Sequence, residues 1–437
     1  MPERSPRPTP PAISLADTNV TDSTAAPGPT GLWLVGARGA ISTCVAYGVA
    51  GLRNGLVSPV GLPTEYPPLN GLPLVPLEDL VLGGHDVCTR DLSSSAGELI
   101  RAGILSQELV AATTAEATAF EAAIRPGVLD AADTGFADLD ARAADLGSKP
   151  PREQIAQLVG DLDGFMADHG LARTVVVHVA STEAEFAPQA AWDSLEALEA
   201  ALDAGVDQPA SIIYAYAAIS SGRPFVNFTP SIGAGIPALL ELAQQAGVPV
   251  AGNDGKTGET LLKSALAPMF KARALNVLAW QGYNMLGNRD GEVLKDPAHK
   301  AKKLKTKDEA LRSILDGSSP DLSTQVGIDY VPSLGDWKTA MDFVHFEGFL
   351  GAKMSLQFTW SGCDSALAAP LIIDLARLAD LAIVDLTDRH DLRRGPAEEG
   401  LVGQVEIGAQ QLLLTDLVAE VARDGHHRVA RQALERA

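Results

Sequence analysis

Cysteine is scarce in this chain. Cys44, Cys88 and Cys363 are its only three, they stand far apart, and no CxxC occurs. That argues against a disulfide framework and a cysteine-based zinc site, and it fits a reducing, cytoplasmic setting. Positive charge is also short: 34 Lys and Arg against 55 Asp and Glu give a formal net charge of -21. Overall repulsion then opposes general binding to nucleic acid or to an anionic membrane. Long apolar runs are missing, and no stretch reaches the ~18 residues of a membrane-crossing helix. The nearest, GLWLVGARGAISTCVAYGVAGL, is broken by Arg38 and by glycines. Residues 1–29 have no apolar segment of the signal-peptide kind and are rich in Pro, Ser, Thr and Ala, so a disordered tail is expected there. No Ser-His-Asp spacing, Walker lysine loop or metal-ligand pattern appears, and no metal is expected.

What is present is a concentration of lysine. Nine of the twelve lysines fall between Lys256 and Lys307. A chain that is poor in lysine and gathers it in one window is suited to holding a small anion there. GNDGKTGETLLKSALAPMFKAR reads as a glycine-rich turn and one helix from Lys256 to Arg273. A cation in a first helical turn is unfavourable, so Lys256 either pairs with Asp254 or joins free helix N–H groups in binding an anion. Lys263 lies two turns along the same face, whereas Lys271 near the helix end is electrostatically ordinary. KAKKLKTK, with Lys302 and Lys305, is either a solvated loop or a lid over a phosphate.

At 437 residues the chain is long enough for two or three domains. Gly31 to Val35 reads as a buried strand, GARGAIS as a turn and TCVAYGVAGLRNG as a helix, the opening of a dinucleotide-binding unit. VGARGAIS is a weak form of that fingerprint, with Gly36 and Gly39 but Arg38 and Ser42 at the other glycine places. Alternating strands and helices from 31 to 254 predict a mostly parallel sheet covered by helices. Beyond Gly255 the pattern becomes α+β. TQVGIDYVPSLGDWKTAMDFVHFEGFLGAKMSLQFTWSG reads as strand, helix, strand, with Asp336 as a helix cap or a partner tuning Lys338. DSALAAPLIIDLARLADLA reads as an apolar helix returning to the first domain. Asp86 in GGHD is either a loop aspartate or a ribose ligand, and the Asn284 turn is either structural or ligand-binding.

In order along the chain, several segments resemble the myo-inositol-phosphate synthase family. DLVLGGHD resembles its strand ending in Gly-Gly-Trp-Asp, and ASTE its Ala-Asn-Thr-Glu turn. ASIIYAYAAISSGRPFVNFTPS resembles its Pro-Ser-Thr-Leu-Tyr-Ala helix and following loop. GNDGKTGETLLKS and GYNMLGNRDG resemble its lysine-bearing and Asn-Asn-Asp-Gly segments. YVPSLGDWKTAMDF and CDSALAAPLIIDL resemble two further motifs. The resemblance covers roughly residues 31–382. It departs in the glycine loop, at Leu261 where the family has a lysine, at Arg289 and at Trp360-Ser361-Gly362. A further family lysine has no counterpart, although Arg389, Arg393 and Arg394 are near.

The resemblance implies a Rossmann-like NAD-binding domain at 30–251 and 365–437, with an inserted α+β catalytic and tetramerisation domain at 252–364. It implies NAD, a hexose phosphate substrate, a homotetramer and an internal aldol cyclisation without net redox. The catalytic candidates are Lys256, Lys302, Lys338 and Asp336, with Lys263 and Lys305. Asp336 would orient Lys338, and Arg38 would meet the pyrophosphate. The cofactor candidates are Gly36, Ala37, Arg38, Gly39, Ala40, Ile41, Asp86, Ser181, Thr182, Asn227, Asp254, Asn284 and Asp364. The departures leave open a carbocyclase acting on fructose 6-phosphate, a simple dehydrogenase and a non-catalytic NAD- or sugar-phosphate-binding protein.

Overall fold

The computed structural model describes residues 28–129, 138–184, 186–288, 291, 311–315, 317–392 and 405–406. Strand β1 (Thr30–Val35) is buried along its whole length. Successive side chains of a strand point to opposite faces. Leu32 and Leu34 enter one apolar core, and Trp33 and Val35 enter the other. Burial on both faces is why this segment reads as a continuous apolar run. It pairs in parallel with β2 (Leu80–Asp86) on one side and β4 (Arg173–His178) on the other. β3 (Ile124–Pro126) lies beyond β2, and β5 (Phe225–Asn227) and β6 (Val250–Gly252) lie beyond β4, all parallel. The order is β3-β2-β1-β4-β5-β6, with β11 (Val405–Glu406) beside β6. The winding reverses between β1 and β4, and in such sheets the ligand crevice opens there, at the carboxyl ends.

One face is covered by α1 (Ala40–Arg53), α2 (Leu92–Arg101), α3 (Gln107–Ala112) and α4 (Thr114–Ala122). The other is covered by α5 (Ala141–Gly147), α6 (Pro151–His169), α7 (Leu195–Asp203), α8 (Ala210–Ser220) and α9 (Pro237–Ala246). The ends follow local chemistry. Ser194 Oγ accepts from the Ala197 N–H to cap α7, and Gly170 and Gly247 close α6 and α9 in the left-handed conformation.

After β6 the chain forms α10 (Glu259–Ala272) and a second sheet of β7 (Asn276–Leu286), β8 (Ser323–Tyr330), β9 (Trp337–Glu347) and β10 (Lys353–Cys363). Its order is β10-β9-β7-β8, with β8 parallel to β7 and the other pairs antiparallel. Ala267 and Phe270 of α10 pack on Val277, Trp280 and Val344 of its inner face.

Two expectations are corrected here. The segment read as a helix between two strands is β9. Its Lys338, Ala340, Asp342 and Val344 are buried while Trp337, Met341 and Phe343 are exposed, a two-residue period that no helix face produces. The helix expected from Lys256 begins three residues later, at Glu259, so Lys256 lies in the loop before it.

Helix α11 (Asp364–Leu392) leaves the second sheet and returns to the first. Ala368, Ala369, Ile372 and Ile373 join the core beneath Leu32 and Leu34. Fully burying such a leucine or isoleucine contributes about 1.5–3 kcal/mol. Polar contacts fix the register. Arg173 Nε donates to Asp380 Oδ1 at 2.6 Å, and Arg377 Nε donates to the Val75 carbonyl at 2.9 Å.

Candidate active site

The chain leaves β1 at Gly36, whose φ of 95° is a left-handed conformation open to glycine without steric cost. A Cβ there would stand 2.9 Å from the Ala180 backbone, so the turn is pressed against the loop after β4. The N–H groups of Gly36 and Ala37 donate to the His85 carbonyl at 2.9 and 3.0 Å. Gly39 precedes α1. The N–H groups of Ala40, Ile41 and Ser42 therefore have no carbonyl one turn earlier in the helix. Such a turn is a ready cradle for a phosphate.

Asp86 closes β2 beside this turn. Its Oδ2 accepts from the Arg38 N–H at 2.7 Å and its Oδ1 from the Cys88 N–H at 2.8 Å. Burial pushes its pKa up, and those two amides pull against the shift. Ser181 is exposed and Thr182 buried just past β4. Asn227, at the end of β5, donates to the Ser231 carbonyl at 2.7 Å and accepts from the Thr229 hydroxyl at 2.9 Å, which stiffens that loop. These residues lie at or just past the carboxyl ends of the neighbouring parallel strands β1, β2, β4 and β5. The Arg38 side chain does not lie as expected for a pyrophosphate contact. Its Nε and Nη2 donate to Glu121 Oε1 at 2.9 and 2.6 Å, and its Nη1 donates to the Cys88 carbonyl at 2.9 Å.

The lysines lie beyond β6. Lys256 is 4% exposed, and its Nζ donates to Asp254 Oδ2 at 2.7 Å. Asp254 has a φ of 63°, in a left-handed region that aspartate tolerates. Lys263 is 1% exposed with Nζ 2.7 Å from Glu259 Oε1, four residues earlier on α10. Lys338 enters from β9, 9% exposed, and donates to Thr257 Oγ1 at 2.8 Å and to Asp364 Oδ1. A buried ammonium without an anion would cost several kcal/mol. Each of these three has a carboxylate, so the cations are held in place inside a locally neutral cluster.

Two contacts tie the cluster together. A Cβ on Gly258 would stand 2.5 Å from Lys338 Cε and 2.8 Å from its Nζ, so glycine lets this lysine lie against the start of α10. Asn284 Nδ2 donates to Glu259 Oε2 at 2.5 Å, joining β7 to the Glu259–Lys263 pair. A helix N-terminus with an adjoining ammonium is a strong stabiliser of developing negative charge.

Asp336 does not orient Lys338. Its Oδ1 accepts from Ser365 Oγ at 2.8 Å, and its Oδ2 accepts from the Ser365 N–H and from Cys363 Sγ at 3.2 and 3.1 Å. It therefore fixes the start of α11, and the partner of Lys338 is Asp364. The physical reason is the head of α11: Asp336 lies just before β9, and both of its carboxylate oxygens are taken up by Ser365 and Cys363. Burial pushes the Asp336 pKa up, and burial followed by the Asp336 charge pushes the Cys363 thiol to about 12. Lys302 and Lys305 lie outside the described residues.

Sequence reasoning missed Thr257, Glu259 and Glu121. The Glu259–Lys263 spacing of four was a readable ion-pair signal. Thr257 and Glu121 carried none, because their partners are distant in sequence.

Residues 63–392 match a family model described as Myo-inositol-1-phosphate synthase. Inositol-3-phosphate synthase 1 of Bacteroides thetaiotaomicron is 34% identical over 381 residues, covering 82% of this chain and 86% of that protein. Inositol-3-phosphate synthase 1 of Homo sapiens is 33% identical over 319 residues, covering 71% of this chain and 56% of its own length. Among solved structures, inositol-3-phosphate synthase from Caenorhabditis elegans aligns with a TM-score of 0.70 at 24% identity, covering 81% of this chain and 75% of that one. A myo-inositol-1-phosphate synthase-related protein from Thermotoga maritima aligns at 0.65 and 24%, covering 82% and 88%. These two structural likenesses are likenesses of fold.

Proposed function

This chain belongs to the myo-inositol-1-phosphate synthase family, and from that premise we propose that it is an NAD-dependent cyclase converting glucose 6-phosphate to an inositol phosphate. The observation that carries the reading is the set of three buried lysines, each paired with its own carboxylate, beside a dinucleotide-type crevice. NAD suits that crevice: the strand order, the left-handed Gly36, the open first turn of α1 and the carboxylate ending β2 all match its needs. When bound it supplies reversible hydride acceptance at a sugar hydroxyl, so that no net redox results.

The residues of the chain do the remaining work. A ketone on the open-chain sugar acidifies the neighbouring CH2. Loss of that proton to a base gives an enolate, whose carbon bonds to the aldehyde carbon. The enolate and then the alkoxide, before it takes up a proton, carry negative charge on oxygen. The ammonium groups of Lys256 and Lys338 stabilise that charge, in a site shielded from water. Asp364 and Thr257 hold Lys338 in register, while Lys263 and Glu259 with Asn284 form the rigid floor. Lys302 and Lys305 serve the substrate phosphate.

In this reading residues 30–251 and 365–437 form the cofactor domain and 252–364 the catalytic insertion. The outer face of the second sheet exposes Tyr283, Met341 and Phe343. An apolar sheet face of this kind suits pairing with another copy, and a homotetramer built through it is part of the proposal. A cytoplasmic location is part of the proposal, and the free thiols of Cys44, Cys88 and Cys363 suit it. Among the described residues no helix is long and apolar enough to cross a membrane.

The test is product analysis. Purified protein is incubated with NAD and either glucose 6-phosphate or fructose 6-phosphate, and products are identified by mass detection and NMR. An inositol phosphate from the glucose ester, with no net NADH, is expected. A five-membered carbocycle from the fructose ester, or NADH accumulating in step with product, would overturn the assignment.

A further inference from the structure

Arg38 and Glu121 take no part in the reaction above, yet they stand beside the carboxylate that ends β2. In sheets of this order an acidic residue there faces the adenosine ribose hydroxyls, and a nearby arginine accommodates a 2′-phosphate when the cofactor carries one. This chain has both kinds of residue. Asp86 Oδ2 accepts from the Arg38 N–H at 2.7 Å, and the Arg38 Nη1 donates to the carbonyl of Cys88, two residues past Asp86, at 2.9 Å. The guanidinium therefore lies along the end of β2. A second carboxylate, Glu121 of α4, takes Nε and Nη2 of that guanidinium on Oε1, at 2.9 and 2.6 Å. Its Oε2 accepts from the Leu92 N–H at 2.9 Å, which anchors it to the start of α2. The Arg38 side chain is 12% exposed, so water screens the pair little.

We propose that Glu121 sets cofactor choice: by engaging Arg38 it withholds from the adenosine 2′ position the cation that a 2′-phosphate would need, and so selects NAD over NADP. The inference rests on the reading that the first sheet holds NAD. Asp86 accepts from the Arg38 amide and Glu121 takes the guanidinium, so two carboxylates stand beside one cation. The balance beside the ribose is one negative charge, which suits two hydroxyls and repels a phosphate. Glu121 acts through Arg38 and is a positioning residue.

The test is calorimetric titration of NAD and of NADP into the full chain and its variants, with no substrate present. Wild type is expected to prefer NAD. Glu121→Gln keeps an oxygen acceptor for Leu92 but frees the guanidinium, and the NADP-to-NAD affinity ratio should rise about tenfold or more, the scale of one charge-assisted hydrogen bond. Adding Arg38→Met should cancel that rise. Arg38→Met alone leaves Glu121 without its cation and should lower the ratio below wild type, which keeps the idea testable where Glu121→Gln folds poorly. A ratio unchanged in Glu121→Gln with NAD still bound, or unchanged in Arg38→Met, overturns the proposal. So does a gain in NADP affinity that survives Arg38→Met, or a wild type that binds both cofactors equally. A wild type that binds neither cofactor removes the cofactor reading itself, and this proposal with it.

Discussion

Lys338 of β9 donates to Thr257 Oγ1 at 2.8 Å, and both groups close on the same oxygen of Asp364 at the head of α11. Three elements thus fix one ammonium: the second sheet, the loop before α10 and the returning helix. Replacing Lys338 by Met should lower kcat by about 10²–10³, the usual scale for losing one preorganised charge stabiliser. NAD affinity should stay within about twofold, since the lysine serves charge that develops in the reaction. A retained kcat measured by product formation would remove Lys338 from the chemistry.

Lys256 presents a different separation of roles. Lys256→Ala should abolish turnover and also lower stability by about 1–3 kcal/mol, because it leaves the Asp254 carboxylate without its cation. Adding Asp254→Asn should restore much of the stability and none of the turnover. Urea unfolding and product assays on both variants check this. Turnover that returns with stability would make the pair purely structural.

Gly258→Ala probes the close approach of Lys338 to α10. The added methyl would meet the Lys338 Cε at 2.5 Å, and the lysine is the mobile partner. Turnover should fall by about tenfold or more with NAD affinity unchanged, since misplacing a catalytic group by about 1 Å costs heavily. Wild-type kcat in this variant would mean that the position of the ammonium is not critical.

Asp374 gives a pH dependence of stability. It is fully buried, and burial pushes its pKa from 3.8 up to about 6, against the hydrogen bonds from Thr64 and the charge of Arg377 and with that of Glu65. A folded-state value above the unfolded one favours folding below the unfolded pKa, and that contribution fades as pH rises through the folded value. Between about pH 4 and pH 7 the loss is about 3 kcal/mol at most. Asp374→Asn should gain about 2–3 kcal/mol relative to wild type across that interval, measured by denaturant unfolding at both ends. A constant difference between the two proteins would show that Asp374 does not titrate there.

The exposed sheet face is tested by charge. Phe343→Lys together with Met341→Lys should leave the fold intact and lower the oligomeric mass seen by light scattering. An unchanged mass would place the assembly contact elsewhere.

The first sheet was legible because its strands are buried on both faces and its helices carry their own start and stop signals, as at Ser194 and Gly247. The lysine cluster was legible as a concentration of one residue type in an acidic chain. The middle of the second sheet was misread because Asp336 before an apolar stretch looks like a helix cap, while the alternation that decides the matter needs five or six residues to see. The partners of Lys338 and Arg38 were not legible at all. Thr257, Asp364 and Glu121 come from elements that only the folded topology brings together. A hydrogen-bond partner on another element has no spacing rule.

The return of α11 has a consequence for how the chain is made. Asp380 bonds Thr30 at 3.2 Å across 350 residues, and Ile372 fills the layer beneath β1. While the ribosome is still adding the second sheet, the face of the first that α1 to α4 share with α11 lacks the cover that α11 supplies. Closing so long a loop is slow, and the waiting surface is open to association with other nascent chains. In the finished protein Ala368, Ala369, Ile372 and Ile373 are buried there, so the period of risk belongs to synthesis, and holdase chaperones that shield apolar surface would act during that interval.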